Sequence, residues 1–265
     1  MGVKPSVNHV PAAQTFIGED NQMLMKTANP ALNQNIFNNL RQSSMSSTTM
    51  TIQGTVNKTY ISLGILVAAA TFTWLNPSPG LMLVGGIGGF ITAIVTAFKK
   101  EWAPTTTPIY AALQGLLLGG VSVMLNQQYP GIVIQAIYLT FGTLFALLCA
   151  YASGKIRATE NFKLGIVAAT GGIAMFYFIN FILGLFGMGI SSVYGSGVIG
   201  IGFSVVVVVI AALNLVLDFD FIEQGARQGA PKYMEWYGAF GLMVTLIWLY
   251  VEILRLLAKL QSRRD

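Results

Sequence analysis

Seven apolar stretches, each of a length suited to crossing hydrocarbon as a helix, leave this 265-residue chain few folds to adopt. They run over residues 59–75, 81–98, 108–125, 132–152 and 164–187, then from about 195 to 221 and about 236 to 258. A helix rises ~1.5 Å per residue, so roughly 20 residues cover ~30 Å of hydrocarbon. Lipid offers the backbone no hydrogen-bond partner, and each span must satisfy its own N–H and C=O groups. The expectation is an all-α, polytopic membrane protein built as a seven-transmembrane-helix bundle in contact with the lipid bilayer. Composition agrees, with 9% of residues charged and a mean hydropathy of +0.64, where a soluble domain is about a quarter charged.

Loop charges orient the spans. Loops 76–80, 126–131 and 188–194 carry no Lys or Arg. The alternate loops carry Lys99 and Lys100, then Lys155, Arg157 and Lys163, then Arg227 and Lys232. The positive-inside rule makes these three loops and the N-terminus cytoplasmic, with the C-terminus outside. Lys259, Arg263 and Arg264 in the C-terminal tail run against that rule, and a re-entrant last segment is the alternative. The net charge of +5 follows from this topology, and no nucleic-acid partner is expected.

Residues 1–58 are too polar to build a core and lack the apolar stretch of a signal peptide. They are expected to form a largely disordered cytoplasmic tail, ahead of a transmembrane domain over 59–260. Asn29-Pro30 resembles a helix start, and Leu32, Ile36 and Leu40 recur at helical spacing. A short amphipathic helix on the inner leaflet and a disordered tail are equally open.

Several motifs carry no chemistry. Gly85–Gly89 in GGIGGF, Gly115 with Gly119, and Gly171 with Gly172 lie within spans, where small residues let helix backbones approach closely. Asp218-Phe-Asp220 lacks the remaining ligands of an EF-hand. The last span has no Lys for a retinal Schiff base, and His9 and Cys149 are the only residues of their kinds. No nucleophile–base set is present, so no enzymatic activity and no cofactor are expected.

What remains is a short set of polar residues inside the spans, where charge is costly and therefore a functional hypothesis. Asp218 and Glu252 are the two acids flanked by apolar sequence on both sides. Asn214, four residues before Asp218, shares its face, whereas Asp220 is rotated by roughly 200°. Asp220 and Glu223 read as solvated or headgroup residues, with Glu223 able to pair with Arg227 at i,i+4. For Glu252 two readings stand: a local pair with Arg255, or a carboxylate facing Asp218 across the bundle. In the second, the two acids share a proton, and ionisation drives their helices apart.

LVLDFDFIEQGARQGAPKYMEWYGAFGLMVTLIWLYVEILRLL, at the C-terminal end, resembles the last two helices of the Bax inhibitor (TMBIM) family in its bacterial YccA-like branch. MTIQGTVNKTYISLGI (50–65) resembles the start of that branch's first helix. The resemblance spans about residues 50–260 and leaves the N-terminal extension outside its core. It implies a last helix surrounded by the other six, in a multi-pass bacterial inner-membrane protein. It also implies a pH-sensitive Ca2+ leak, or a modulator of cell death or membrane-protein quality control. The family's sensor is an aspartate pair on the last two helices. The first falls on Asp218, while the second position is Thr245, with Glu252 two turns further along.

Two functions follow. In one, the protein is a passive leak for Ca2+ or another cation, with Asp218 and Glu252 as transient oxygen ligands rather than a firm metal site. In the other, it is a non-conducting partner of a membrane protease or similar quality-control protein.

Overall fold

The computed structural model describes residues 48–188, 193 and 195–263. The amphipathic helix expected around Leu32, Ile36 and Leu40 lies outside the described residues. Seven long helices form: α1 (Ile52–Leu75), α2 (Pro79–Phe98), α3 (Ala103–Gln128), α4 (Ile132–Ala152), α5 (Glu160–Leu185), α6 (Val198–Arg227) and α7 (Met234–Ser262). All seven are long and apolar enough to span a membrane.

Helix α1 starts seven residues before the apolar run, at Ile52, because Thr51 caps it: its Oγ1 accepts from the Gly54 N–H at 2.9 Å. Residues 52–58 therefore belong to the bundle. Pro79 opens α2, where a missing N–H costs nothing. A single turn of 3-10 helix, Lys100–Trp102, leads into α3, which starts five residues earlier than expected and holds Pro108 in its interior. Helix α6 ends in a Schellman motif: Ala230 N donates to Gly225 O and Gly229 N to Ala226 O, with Gly229 at φ +65°.

Glycine decides how closely α1, α2 and α3 approach. A Cβ at Gly115 or Gly119 would strike the carbonyls of Leu66 or Ala70 on α1, and one at Gly85 would strike the Leu113 carbonyl of α3. These positions behave as expected. Gly171 and Gly172 do not, because a Cβ at either would meet nothing within 4 Å.

The last helix is the centre of the bundle. It packs against α1, α3, α4 and α6, and α5 reaches it through Tyr177. Leu242, Leu246, Leu249, Ile253 and Leu254 of α7 interlock with Ala211, Leu215 and Phe219 of α6 and Ile132 and Ala136 of α4. Helices α2 and α5 lie at the periphery, α2 chiefly against α3 and α5 chiefly against α6.

A polar clip ties the start of α1 to the start of α7. Residues 48–50 run antiparallel to 230–232, with Met50 N donating to Ala230 O at 2.7 Å and Lys232 N to Thr48 O at 3.1 Å. Beyond them, the fully buried Glu235 accepts from Thr51 N at 3.0 Å and Thr51 Oγ1 at 2.8 Å, and pairs with Lys232 Nζ at 2.9 Å. Any side chain on Gly54 would occupy the place of this carboxylate. Glu235→Ala should destabilise the folded protein by about 1–3 kcal/mol, as loss of a buried, charge-assisted acceptor does. Gly54→Leu should destabilise it through the same contact. Thermal unfolding in detergent micelles checks both.

Candidate functional site

Asn214, Asp218, Asp220 and Gln224 of α6 line a groove of about 780 Å³. Its walls are α2 (Phe90, Ile94, Phe98) and α5 (Lys163, Val167), and its floor is α6 and α7, through Asn214, Asp218, Gly241 and Thr245. The groove extends from Gln224 to Asn214 along α6, ten residues or ~15 Å of helix. The Phe98–Gln224 end of the groove lies near the end of the bundle where Lys99 stacks on Trp102 (4.5 Å) and Lys100 on Tyr237 (5.4 Å). Basic and amphipathic aromatic side chains of this kind favour the headgroup zone.

Asp218 sits on the wall of this groove, nine residues or ~14 Å from the end of α6 at Arg227. The residue as a whole is half-buried, yet its Oδ2 is sealed off and has no hydrogen-bond partner. Thr245, one turn along α7 from Gly241, supplies a side-chain hydrogen bond to the carboxyl. Asn214 lines the same groove, as the shared face required, and its Nδ2 donates to Thr170 Oγ1 and Ile210 O, both at 2.8 Å.

Asp218 and Glu252 are not brought together. Glu252 lies seven residues beyond Thr245, ~10 Å along α7. It is buried and satisfied there: Arg255 Nη1 donates to its two oxygens at 2.9 and 3.2 Å, and the Tyr177 hydroxyl of α5 donates at 3.0 Å. The local Glu252–Arg255 pair is therefore the arrangement present, and the carboxylate facing Asp218 is not. The physical reason is that an arginine one turn away and a phenol from α5 already satisfy the acid. The supporting residue that does reach Asp218 is Thr245.

Asp220 also departs from expectation. It lines the groove and forms an interhelical ion pair with Lys163 of α5 at 2.8 Å, rather than facing only solvent or headgroups. Glu223 pairs with Arg227 at i,i+4 as its spacing allowed, and also accepts from the Tyr151 hydroxyl of α4.

Sequence reasoning did not single out Glu235, Thr170, Tyr177 or Lys259. The Lys259 ammonium is buried with three acceptors, Val193 O (2.7 Å), Gly200 O (3.0 Å) and Ser204 Oγ (2.9 Å). Of the three basic residues that ran against the loop-charge rule, Lys259 is thus folded into the bundle, where its charge meets helix α6 instead of bulk water, while Arg263 is exposed. Lys163, Thr170 and Tyr177 recur every seven residues on α5, a signal present in the sequence but diluted by the apolar residues between them. Among the described residues, no group of three or more His, Cys, Asp or Glu side chains comes together.

An apolar seven-helix bundle with one unsatisfied carboxyl in an open groove defines a class: polytopic membrane proteins with an intramembrane acid site. The sequence model of the family described as Bax inhibitor 1 like matches residues 29–262. The chain belongs to the Bax inhibitor family. The match begins before the bundle, so part of the polar N-terminal segment falls within the family's extent. A search of curated proteins found no match.

The two acids should respond in opposite ways to loss of charge. Asp218→Asn should leave the unfolding temperature unchanged or raised, because an unpartnered acid in a poorly solvated wall is a cost. Glu252→Gln should lower stability by about 1–3 kcal/mol by stranding part of the Arg255 and Tyr177 network. Thermal unfolding of the purified variants distinguishes the two.

Proposed function

We propose that this protein is a passive, pH-sensitive leak for cations, Ca2+ among them, in which Asp218 both attracts the ion and sets the response to pH. The observation that carries the reading is Asp218 on the wall of a groove, with its Oδ2 buried and unpartnered. Membership of the Bax inhibitor family supports it.

The chemistry needs only one group. A neutral Asp218 carboxyl keeps its hydrogen bond with Thr245 and offers no charge to the groove. An ionised one leaves an oxygen that nothing in the protein satisfies, and once the carboxylate turns that oxygen into the groove, water or a hard cation supplies the missing partner. Ionisation therefore favours cation entry, and flux rises with pH. With Thr245 where the resemblance places a second aspartate, the switch exchanges one proton rather than sharing it across a dyad. Under the positive-inside rule the Phe98–Gln224 end of the groove lies toward the cytoplasm of the bacterial inner membrane.

Calcium flux into dye-loaded proteoliposomes tests this. Flux should rise with pH along a single-proton curve, become pH-independent in Asp218→Asn, and keep its pH dependence in Glu252→Gln. Pore-like flux that ignores the Asp218 substitution would sink the role of the acid. No flux at any pH from folded protein would favour the second reading, a non-conducting modulator of membrane-protein quality control. The likeness of the C-terminal two helices to the YccA-like branch supports that second reading.

A further inference from the structure

Helix α5 forms one wall of the Asp218 groove, and it is attached unlike any other helix. Ile166 is its one buried residue. Its polar links to the bundle fall on one stripe: Lys163 to Asp220 (2.8 Å), Thr170 to Asn214 (2.8 Å), and Tyr177 to Glu252 (3.0 Å) and Arg255 (2.8 Å). The three residues are seven apart, so all point toward α6 and α7.

The two halves of the helix are held differently. Beyond the midpoint, Tyr177 makes two strong hydrogen bonds, and Phe176 and Tyr177 pack on Phe203 of α6 with ring centroids 5.0 and 6.2 Å apart. Before the midpoint, the buried Ile166 is joined by two polar links, the Lys163 ion pair and the Thr170 hydrogen bond, both formed with residues that line the groove, Asp220 and Asn214. Between the halves stands Gly171-Gly172, with nothing within 4 Å of where either Cβ would be. The glycines are therefore not there for close packing. A glycine pair is a common place for a helix to bend.

We propose that the first half of α5, Glu160 to Thr170, is a hinged door on the Asp218 groove. Gly171-Gly172 is the hinge, and the Lys163–Asp220 and Thr170–Asn214 contacts are the latches. The door rests on the reading of the groove as the working site, since what it admits is access to Asp218. Opening separates Lys163 and Val167 from the groove floor and widens the mouth from the α5 side, while Tyr177 and Phe203 hold the far half in place.

The geometry gives the size of the movement. Asn161 lies ten residues from the hinge, ~15 Å along the helix, so a bend of ~20° moves it by ~5 Å. Spin labels placed after Cys149→Ser, which removes the single cysteine, read this directly. One pair, Asn161→Cys with Tyr60→Cys, reports the door half; a second, Phe178→Cys with Phe72→Cys, reports the anchored half, and all four positions are exposed. Breaking the latches with Lys163→Met and Thr170→Val should add a population displaced by ~5 Å to the first distance and leave the second unchanged. Adding Gly171→Ala and Gly172→Ala, for which there is open space, should suppress that population without disturbing the fold.

A first distance that stays single after both latches are removed, or two distances that shift together, overturns the door. The unchanged second distance guards against misfolding as the cause. Flux measured on the same proteoliposomes separates the two ideas: movement without flux keeps the door and ends the leak reading, and flux without movement does the reverse.

Discussion

Hydrocarbon supplies no hydrogen-bond partner, and the arrangement of polar groups in this bundle follows from that single constraint. Most of the intramembrane polar side chains considered above are handed to a neighbouring helix. Thr96 bonds Thr106 between α2 and α3 at 2.8 Å, and Ser122 bonds Tyr250 between α3 and α7 at 2.7 Å. Thr107 donates to the Trp236 carbonyl at 3.1 Å, and Tyr151 donates to Glu223 across α4 and α6. Such contacts contribute modestly, about 0.6 kcal/mol each on average. Their value lies in register, because a slip of one residue would strand both partners in lipid.

Against that background the exception is informative. Asp218 Oδ2 is sealed and unpartnered, as is Glu235 Oε2 away from the groove, in a protein that elsewhere brings an arginine and a tyrosine to one glutamate and three acceptors to one lysine. A site left incomplete in this way is poised for something that comes and goes, such as a proton, a water molecule or a cation. In the proposed reading, the groove in front of it is the route and the first half of α5 is the boundary that moves.

The number and place of the helices were legible from apolar run length alone. The starts were less so. Helix α1 gains its first turn from Thr51 and the clip to Glu235, a contact between residues 184 apart in sequence. Run length could not register Ile52–Lys58 because that turn is polar. The glycines show the same division. Gly115 and Gly119 were identifiable as close contacts from small-residue spacing, but the same reading of the adjacent Gly171 and Gly172 led the wrong way, because only packing shows whether a second helix is opposite.

For the site, sequence could nominate Asp218 and Asn214, since a charge inside an apolar run is visible without coordinates and four-residue spacing shares a face. It could not choose between two partners for Glu252. Both Arg255 and Asp218 were chemically suitable, and the choice depends on the rotation of α7 and on the approach of Tyr177 from a helix far away in sequence. The sequence by itself therefore determined a seven-helix membrane protein with a protonatable group near one end of α6, because the cost of exposing backbone and charge to lipid is local. The tertiary structure decided which carboxylate oxygens are satisfied and which are left open, because satisfaction in a bundle comes from neighbouring helices, whose facing is settled only when they pack.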